Sequence, residues 1–388
     1  MSSTIEAVAV DRRRERVVAE MLRSERDFLV ADSPAAVAYL TDVDIRPFSG
    51  VGTAVILSAD GTVTLLVADT DLHSVQDSGF RGTVKAWRSG PGSRAERERL
   101  VRDASCKPSS GSLSRGAVEM RSAGSYRHVL SDTRPRSLLT DADSIIEAAS
   151  RVRDDDELRR LRQAANLADI GYTATVDRLH PELRVLEIVR NVDRSLRSAG
   201  GSGWWSPLED DAGLTVDSSY PHASVAVLLG RRRESGVLDR REPLPFAIYP
   251  LSECYAGAAG TTVVLSEPDA GLRSRASLLT DALRAVIDAA KPGATGAELQ
   301  SAFRSAVGGR VPDDVAAQSV GYGLGTGVSR PFLSAGSRDV LQEGSVVSVR
   351  ASLPGDGSAP VAYQTTVLIT PEGNDVLNVV PLRMIELY

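Results

Sequence analysis

Apolar positions along the chain keep two different rhythms. In residues 11 to 26, DRRRERVVAEMLRSER, the apolar seam Val17, Val18, Met21 and Leu22 runs through a charged stretch, which predicts an amphipathic helix. FLVAD at 28 to 32 predicts a strand. TAVILSADGTVTLLVAD at 53 to 69 places two β-branched runs around Asp60-Gly61, a strong hairpin signal. These elements predict a small α/β N-terminal domain that closes within the polar, Ser- and Arg-rich stretch from 105 to 140.

From Asp154 the pattern lengthens into helical periodicity. Leu158, Leu161, Ala165, Ala168 and Tyr172 share one face, and Asp154 to Asp156 put negative charge on the first turn, where the helix dipole favours it. A second helix is predicted from Pro181, with Val185, Ile188, Val192 and Leu196 on one face and Gly200-Gly201 as its stop. A third spans Arg273 to Ala290 and ends at Lys291-Pro292-Gly293. A fourth opens at Thr295-Gly296-Ala297-Glu298, a capping box. Strands are predicted at 223–230, 244–249, 261–265, 344–353 and 359–370. Helices grouped with antiparallel-type strands indicate an α+β domain, so we divide the chain into 1–145 and 146–388.

The length of 388 residues suits two domains. A net charge of −6 is mild for this length and excludes a global attraction to nucleic acid or an anionic membrane. The N-terminus has no apolar run behind a basic start, and nowhere do 18 apolar residues run together; the expectation is a soluble cytoplasmic protein. Cys106 and Cys254 cannot build a disulfide framework and lack the CxxC spacing of a zinc or redox site.

SVGYGLGTGVSRPFLS at 319 to 334 looks like a phosphate cradle but fails both tests. No Lys follows it as a Walker loop requires, and the last Gly of a GxGxxG falls on Thr326, Val328 or Arg330. A tight loop in which Gly supplies positive φ or close backbone approach is the remaining reading.

The order of features resembles the creatinase, Xaa-Pro aminopeptidase and methionine aminopeptidase superfamily over nearly the whole chain. RDFLVADSPAAVAYLT resembles its creatinase-type N-terminal domain and DDDELRRLRQAANLAD the helix that opens its catalytic domain. AAKPGATGAELQSAF resembles its KPG helix boundary and VLQEGSVVSVRASL its L-x-x-G-M-x-x-S-x-E-P segment. The resemblance implies a creatinase-type N-terminal domain, a pita-bread C-terminal domain and a homodimer.

It also implies a departure in chemistry. Most members carry a metal-binding His in G-H-G-I-G, followed by H-E-x-P; here Tyr322 stands for that His and Ser329-Arg330 for His-Glu. The two metal-binding Asp positions fall on Tyr249 and Gly260, and the two Glu positions on Arg350 and Gln364. Two divalent cations need carboxylate and imidazole, so this set implies no metal and no other cofactor.

Of the four histidines, His73, His128 and His180 read as ordinary solvated or satisfied imidazoles. His222, in SSYPHASV, falls where the family keeps an active-site His that handles proton transfer in creatinase, which suits an imidazole titrating near neutral pH. It is also readable as a leftover of ancestry. Arg350 cannot discharge and needs an anionic partner, either an acid of the protein such as Glu253 or a carboxylate or phosphate of a substrate. Tyr249, Tyr322, Gln364, Ser329 and Arg330 are the further candidates for lining a substrate pocket, with volume filling as the alternative for the tyrosines. Trp204 and Trp205 suit either a cleft wall or a core. No GxSxG elbow supports nucleophilic catalysis.

Two functions remain. One is a metal-independent enzyme using His222 on a small anionic substrate, with C–N bond hydrolysis or elimination suggested by analogy. Creatine itself fits poorly, since Arg350 would repel a cation. The other is an inactive pseudo-peptidase serving as a scaffold or binding protein. Neither calls for a nucleic acid or membrane partner.

Overall fold

The computed structural model describes residues 2–46, 48, 52–105, 114–119, 126–132, 135, 138–204, 238, 240–355 and 359–388. The chain divides into two units, Met1–Ser150 and Arg151–Tyr388.

The first unit contains α1 (Ser2–Arg23), β1 (Phe28–Ala31), α2 (Pro34–Thr41), β2 (Ala54–Ser58), β3 (Val63–Ala68), α3 (Leu72–Asp77), β4 (Thr83–Trp87), α4 (Ser93–Ser105), β5 (Gly116–Val118), α5 (Arg127–Ser131), β6 (Leu139–Asp141) and α6 (Asp143–Ala149). Its strands form one sheet in the order β4-β3-β2-β1-β5-β6, and the Asp60-Gly61 turn joins β2 to β3. Strand alternation divides the apolar residues between two cores. Leu29, Val55 and Leu65 meet Met21 of α1 and Leu40 of α2, whereas Phe28, Val30 and Ile56 meet Val101 of α4 and Leu130 of α5. Helix α1 starts at Ser2, earlier than the charged seam predicts, and Ala9 and Val10 are buried as well. Helix α6 buries Ile145 and Ala149 in the same unit, which therefore runs on to Ser150.

The second unit contains α7 (Asp155–Val176), α8 (Val185–Ser198), β7 (Gly203–Trp204), β8 (Leu244–Ile248), β9 (Pro250–Ser252), β10 (Tyr255–Ala256), β11 (Ala259–Val264), α9 (Ala270–Ala289), α10 (Gly296–Val307), α11 (Asp313–Ala316), β12 (Gly321–Leu324), β13 (Val328–Phe332), β14 (Val346–Leu353), β15 (Val361–Thr370), β16 (Gly373–Val376) and β17 (Ile385–Glu386). The large sheet runs β13-β12-β14-β15-β11-β17, with β8 also on β11 and β16 on β15; β10-β9-β7 form a small second sheet.

Local chemistry explains the helix starts. Asp154 accepts from the Glu157 N–H at 2.9 Å while Glu157 reaches back to the Asp154 N–H at 3.1 Å, and Thr295 and Glu298 repeat this reciprocal box on α10. Helix α8 begins at Val185, not at Pro181, because its start is set by Glu187 accepting from the Arg184 N–H at 2.9 Å; Pro181 lies in the preceding turn. Val347, Val349 and Val367 of the sheet pack under Leu279, Leu283 and Phe303 of α9 and α10. Phe246, Ile248 and Val263 pack with Leu167 and Val192 of α7 and α8. Fully burying each such side chain is worth about 1.5–3 kcal/mol. The predicted strand at 223–230 lies outside the described residues.

The Gly-rich stretch 319–334 is a β-hairpin, β12 to β13, and not a loop. Its glycines serve close approach: a Cβ on Gly321 would stand 2.0 Å from the Ser348 carbonyl oxygen, and one on Gly323 would stand 2.2 Å from that of Arg330. Gly321 also has φ +148, where a side chain is strained. Gly321→Ala is expected to cost about 2–4 kcal/mol of stability, read as a lower urea midpoint at unchanged slope; a midpoint equal to wild type would refute the close-approach explanation.

Candidate functional site

Strand β14 reads VVSVRASL. Alternation turns Val347 and Val349 towards α9 and α10, which leaves Ser348, Arg350 and Ser352 on the opposite face. In β15, Tyr363 and Val367 likewise face the helices and Gln364 and Thr366 the other side. The register then aligns Arg350 with Gln364, Gln364 with Gly260, and Gly260 with Ala247, one row across four strands. Tyr249 follows β8, and Tyr322 of β12 pairs with Ser348. The five positions picked out by the family resemblance, Tyr249, Gly260, Tyr322, Arg350 and Gln364, thus come together.

Gln364 sits at their centre. Its Oε1 accepts from the Tyr249 hydroxyl at 2.7 Å, and its Nε2 donates to Ser348 Oγ at 2.7 Å and to the Tyr322 hydroxyl oxygen at 3.4 Å. Both amide hydrogens are therefore committed inside the protein. The Arg350 guanidinium lies over the Tyr322 ring, 4.7 Å from its centroid. Arg350 is only 4% exposed, yet its Nη1 finds no hydrogen-bond partner among the described residues. Burial pushes the Tyr249 and Tyr322 hydroxyls above their ordinary range, with Arg350 pulling the other way. Gly260 is crowded: a Cβ there would stand 2.9 Å from both Ala247 Cβ and the Phe246 carbonyl oxygen.

The other sequence candidates lie elsewhere. Glu253 is not the partner of Arg350; it sits in the β9–β10 turn and pairs with Arg159 at 2.9 Å and Arg160 at 3.3 Å, both on α7. Arg330 is held by Asp339 through Nη1 at 2.8 and 3.0 Å, and Ser329 Oγ accepts from Arg153 Nη2 at 2.9 Å. Among the described residues, neither hydrogen-bonds Gln364 itself. His73, His128 and His180 are exposed. His222, Trp205 and Cys106 lie outside the described residues, as does the side chain of Trp204. Sequence reasoning missed Ser348, although polar residues at every second place, Ser348, Arg350 and Ser352, signal a polar strand face.

A family model described as metallopeptidase family M24 matches residues 159–371. A Bacillus subtilis protein described as uncharacterized peptidase YqhT is 27% identical over 262 residues, covering 67% of this chain and 70% of its own. The Xaa-Pro dipeptidase of Lactobacillus helveticus is 21% identical over 370 residues, covering 93% and 96%. Dipeptidase PepE from Mycobacterium ulcerans superposes with a TM-score of 0.76 at 20% identity, covering 98% of each chain. The fold is accordingly the pita-bread creatinase/aminopeptidase fold with its N-terminal α/β domain.

The donor set beside Arg350 does not fit the metal centre that such a family implies. None of the described residues lining the cavity there is Asp, Glu or His. No group of three or more His, Cys, Asp or Glu able to hold a metal occurs among the described residues. A buried guanidinium would also repel a divalent cation placed beside it.

Two outcomes follow from this geometry. Arg350→Met replaces a buried charge that lacks a full set of acceptors with an apolar chain, and is expected to raise unfolding stability by about 1–2 kcal/mol without added ligand; an equal loss would show that the guanidinium is fully compensated. For the buried tyrosines, the raised folded-state pKa means that the unfolded chain releases its protons first. Their stabilisation is complete below about pH 10 and lost as pH rises above it. Urea titrations at graded alkaline pH check this, and stability that holds flat through the tyrosine range would contradict it.

Proposed function

Because the chain belongs to metallopeptidase family M24, we propose that it is a Xaa-Pro peptidase-like member that works without a metal, performing acid–base chemistry on a small anionic substrate. The observation that carries this reading is Arg350, buried and stacked on Tyr322 at the place where the resemblance puts a metal-binding Glu. A fixed positive charge favours an anionic ligand there over a dinuclear cation cluster. His222 takes the proton-transfer role, and C–N bond hydrolysis or a related elimination is the reaction class that the family suggests.

A second reading, an inactive pseudo-peptidase that serves as a scaffold or binding protein, is favoured by one specific observation. Tyr249, Tyr322 and Gln364 are buried and bonded to one another, the condition of a closed interior.

Metal analysis of the purified protein, together with Xaa-Pro dipeptide hydrolysis assayed with added Mn²⁺ or Co²⁺, tests the reading. No stoichiometric metal and no metal-dependent cleavage are expected. Two bound equivalents, with cleavage lost on chelation, would overturn it. On any substrate that the metal-free protein turns over, His222→Ala should slow turnover by about 100-fold or more, and unchanged turnover would remove the assignment of His222.

A further inference from the structure

A cavity of about 40 Å³ lies beside Arg350, with Gln318, Ser319, Ser352, Ala362 and Gly260 in its lining. Arg350 is the only charged residue among the described residues that line it. We propose that this cavity binds the carboxylate of a small organic acid, with the Arg350 guanidinium as its cationic partner. The inference rests on the metal-free reading of the same site and names the ligand class.

The two amide side chains of the lining, Gln318 and Gln364, are already satisfied. Gln318 donates to the Ser352 and Val315 carbonyls at 3.0 and 2.8 Å and accepts from the Ser352 N–H at 3.1 Å. Gln364 has both amide hydrogens committed. Arg350 forms no ion pair among the described residues, so the ligand group that its guanidinium calls for is a charged acceptor. The Tyr322 ring holds that guanidinium in place before any ligand arrives, which lowers the ordering cost of binding.

One cation matches one negative charge. A phosphate dianion would bring a second charge with no second cation to meet it, and its desolvation would go uncompensated. The volume admits about three water-sized groups, the scale of a carboxylate head with a short chain. Gly260, Ala247 and Ala362 present little beyond backbone and methyl groups, a surface suited to that chain.

Isothermal titration of the metal-stripped, full-length protein with acetate, propionate, propionamide and inorganic phosphate tests the inference. Acetate or propionate should bind, with propionamide and phosphate weaker by about tenfold or more. Arg350→Met should weaken carboxylate binding by a similar factor. Gln364→Glu provides an independent variant: it sets an internal carboxylate directly across from Arg350 and should displace the external one to the same extent. Carboxylate binding that is absent in wild type, equal in all three proteins, or weaker than phosphate binding would overturn the inference. Stoichiometric metal in the isolated protein would overturn the metal-free reading itself. Metal-free protein that ignores carboxylates leaves that reading standing and overturns this inference alone.

Discussion

The amide of Gln364 must be satisfied where water cannot reach it, and much of the second unit's inner face follows from how that is done. Its oxygen takes the Tyr249 proton and its two hydrogens go to Ser348 and Tyr322, so one side chain on β15 ties together β14, β12 and the segment after β8. A slip of β15 by one residue against β14 would send Gln364 into the apolar layer under α9 and α10 and strand the groups that bond to it. The orientation of Tyr322 fixed by this network is also what offers its ring face to Arg350.

Scaffold and chemistry are separable here because they occupy opposite faces of the same strands. The valines of β14 and β15 hold the sheet to its helices, as a member of the M24 family with the pita-bread fold requires. Ser348, Arg350 and Gln364, on the other face, carry no part of that packing and can differ in chemistry without disturbing it. Fold likeness to dipeptidases and a donor set unlike a metal centre are therefore compatible facts.

Legibility followed the range of the interaction. The capping box at Thr295 and the Asp60-Gly61 hairpin depend on residues a few positions apart, and the sequence shows them directly; at Asp154 it showed the acidic first turn, and the structure adds the reciprocal box with Glu157. The hairpin hidden in 319–334 depends on carbonyls of Ser348 and Arg330 crowding two glycines, a contact that composition reads only as a loop. The partner of Glu253 was hidden for the same reason: the acid lies close in sequence to Tyr249, but the β9–β10 turn carries it to Arg159 and Arg160 of α7. The grouping of Tyr249, Tyr322, Arg350 and Gln364 was reached only through family register, since no local pattern links residues so far apart.

Gly260 carries a consequence for history. On the metal-free reading it stands where an ancestor held a carboxylate, yet Ala247 and the Phe246 carbonyl have closed to within 2.9 Å of where a side chain would begin. On that reading, putting Asp back would require β8 to yield first, so packing would oppose the single reversion. Packing, more than chemistry, works as the ratchet.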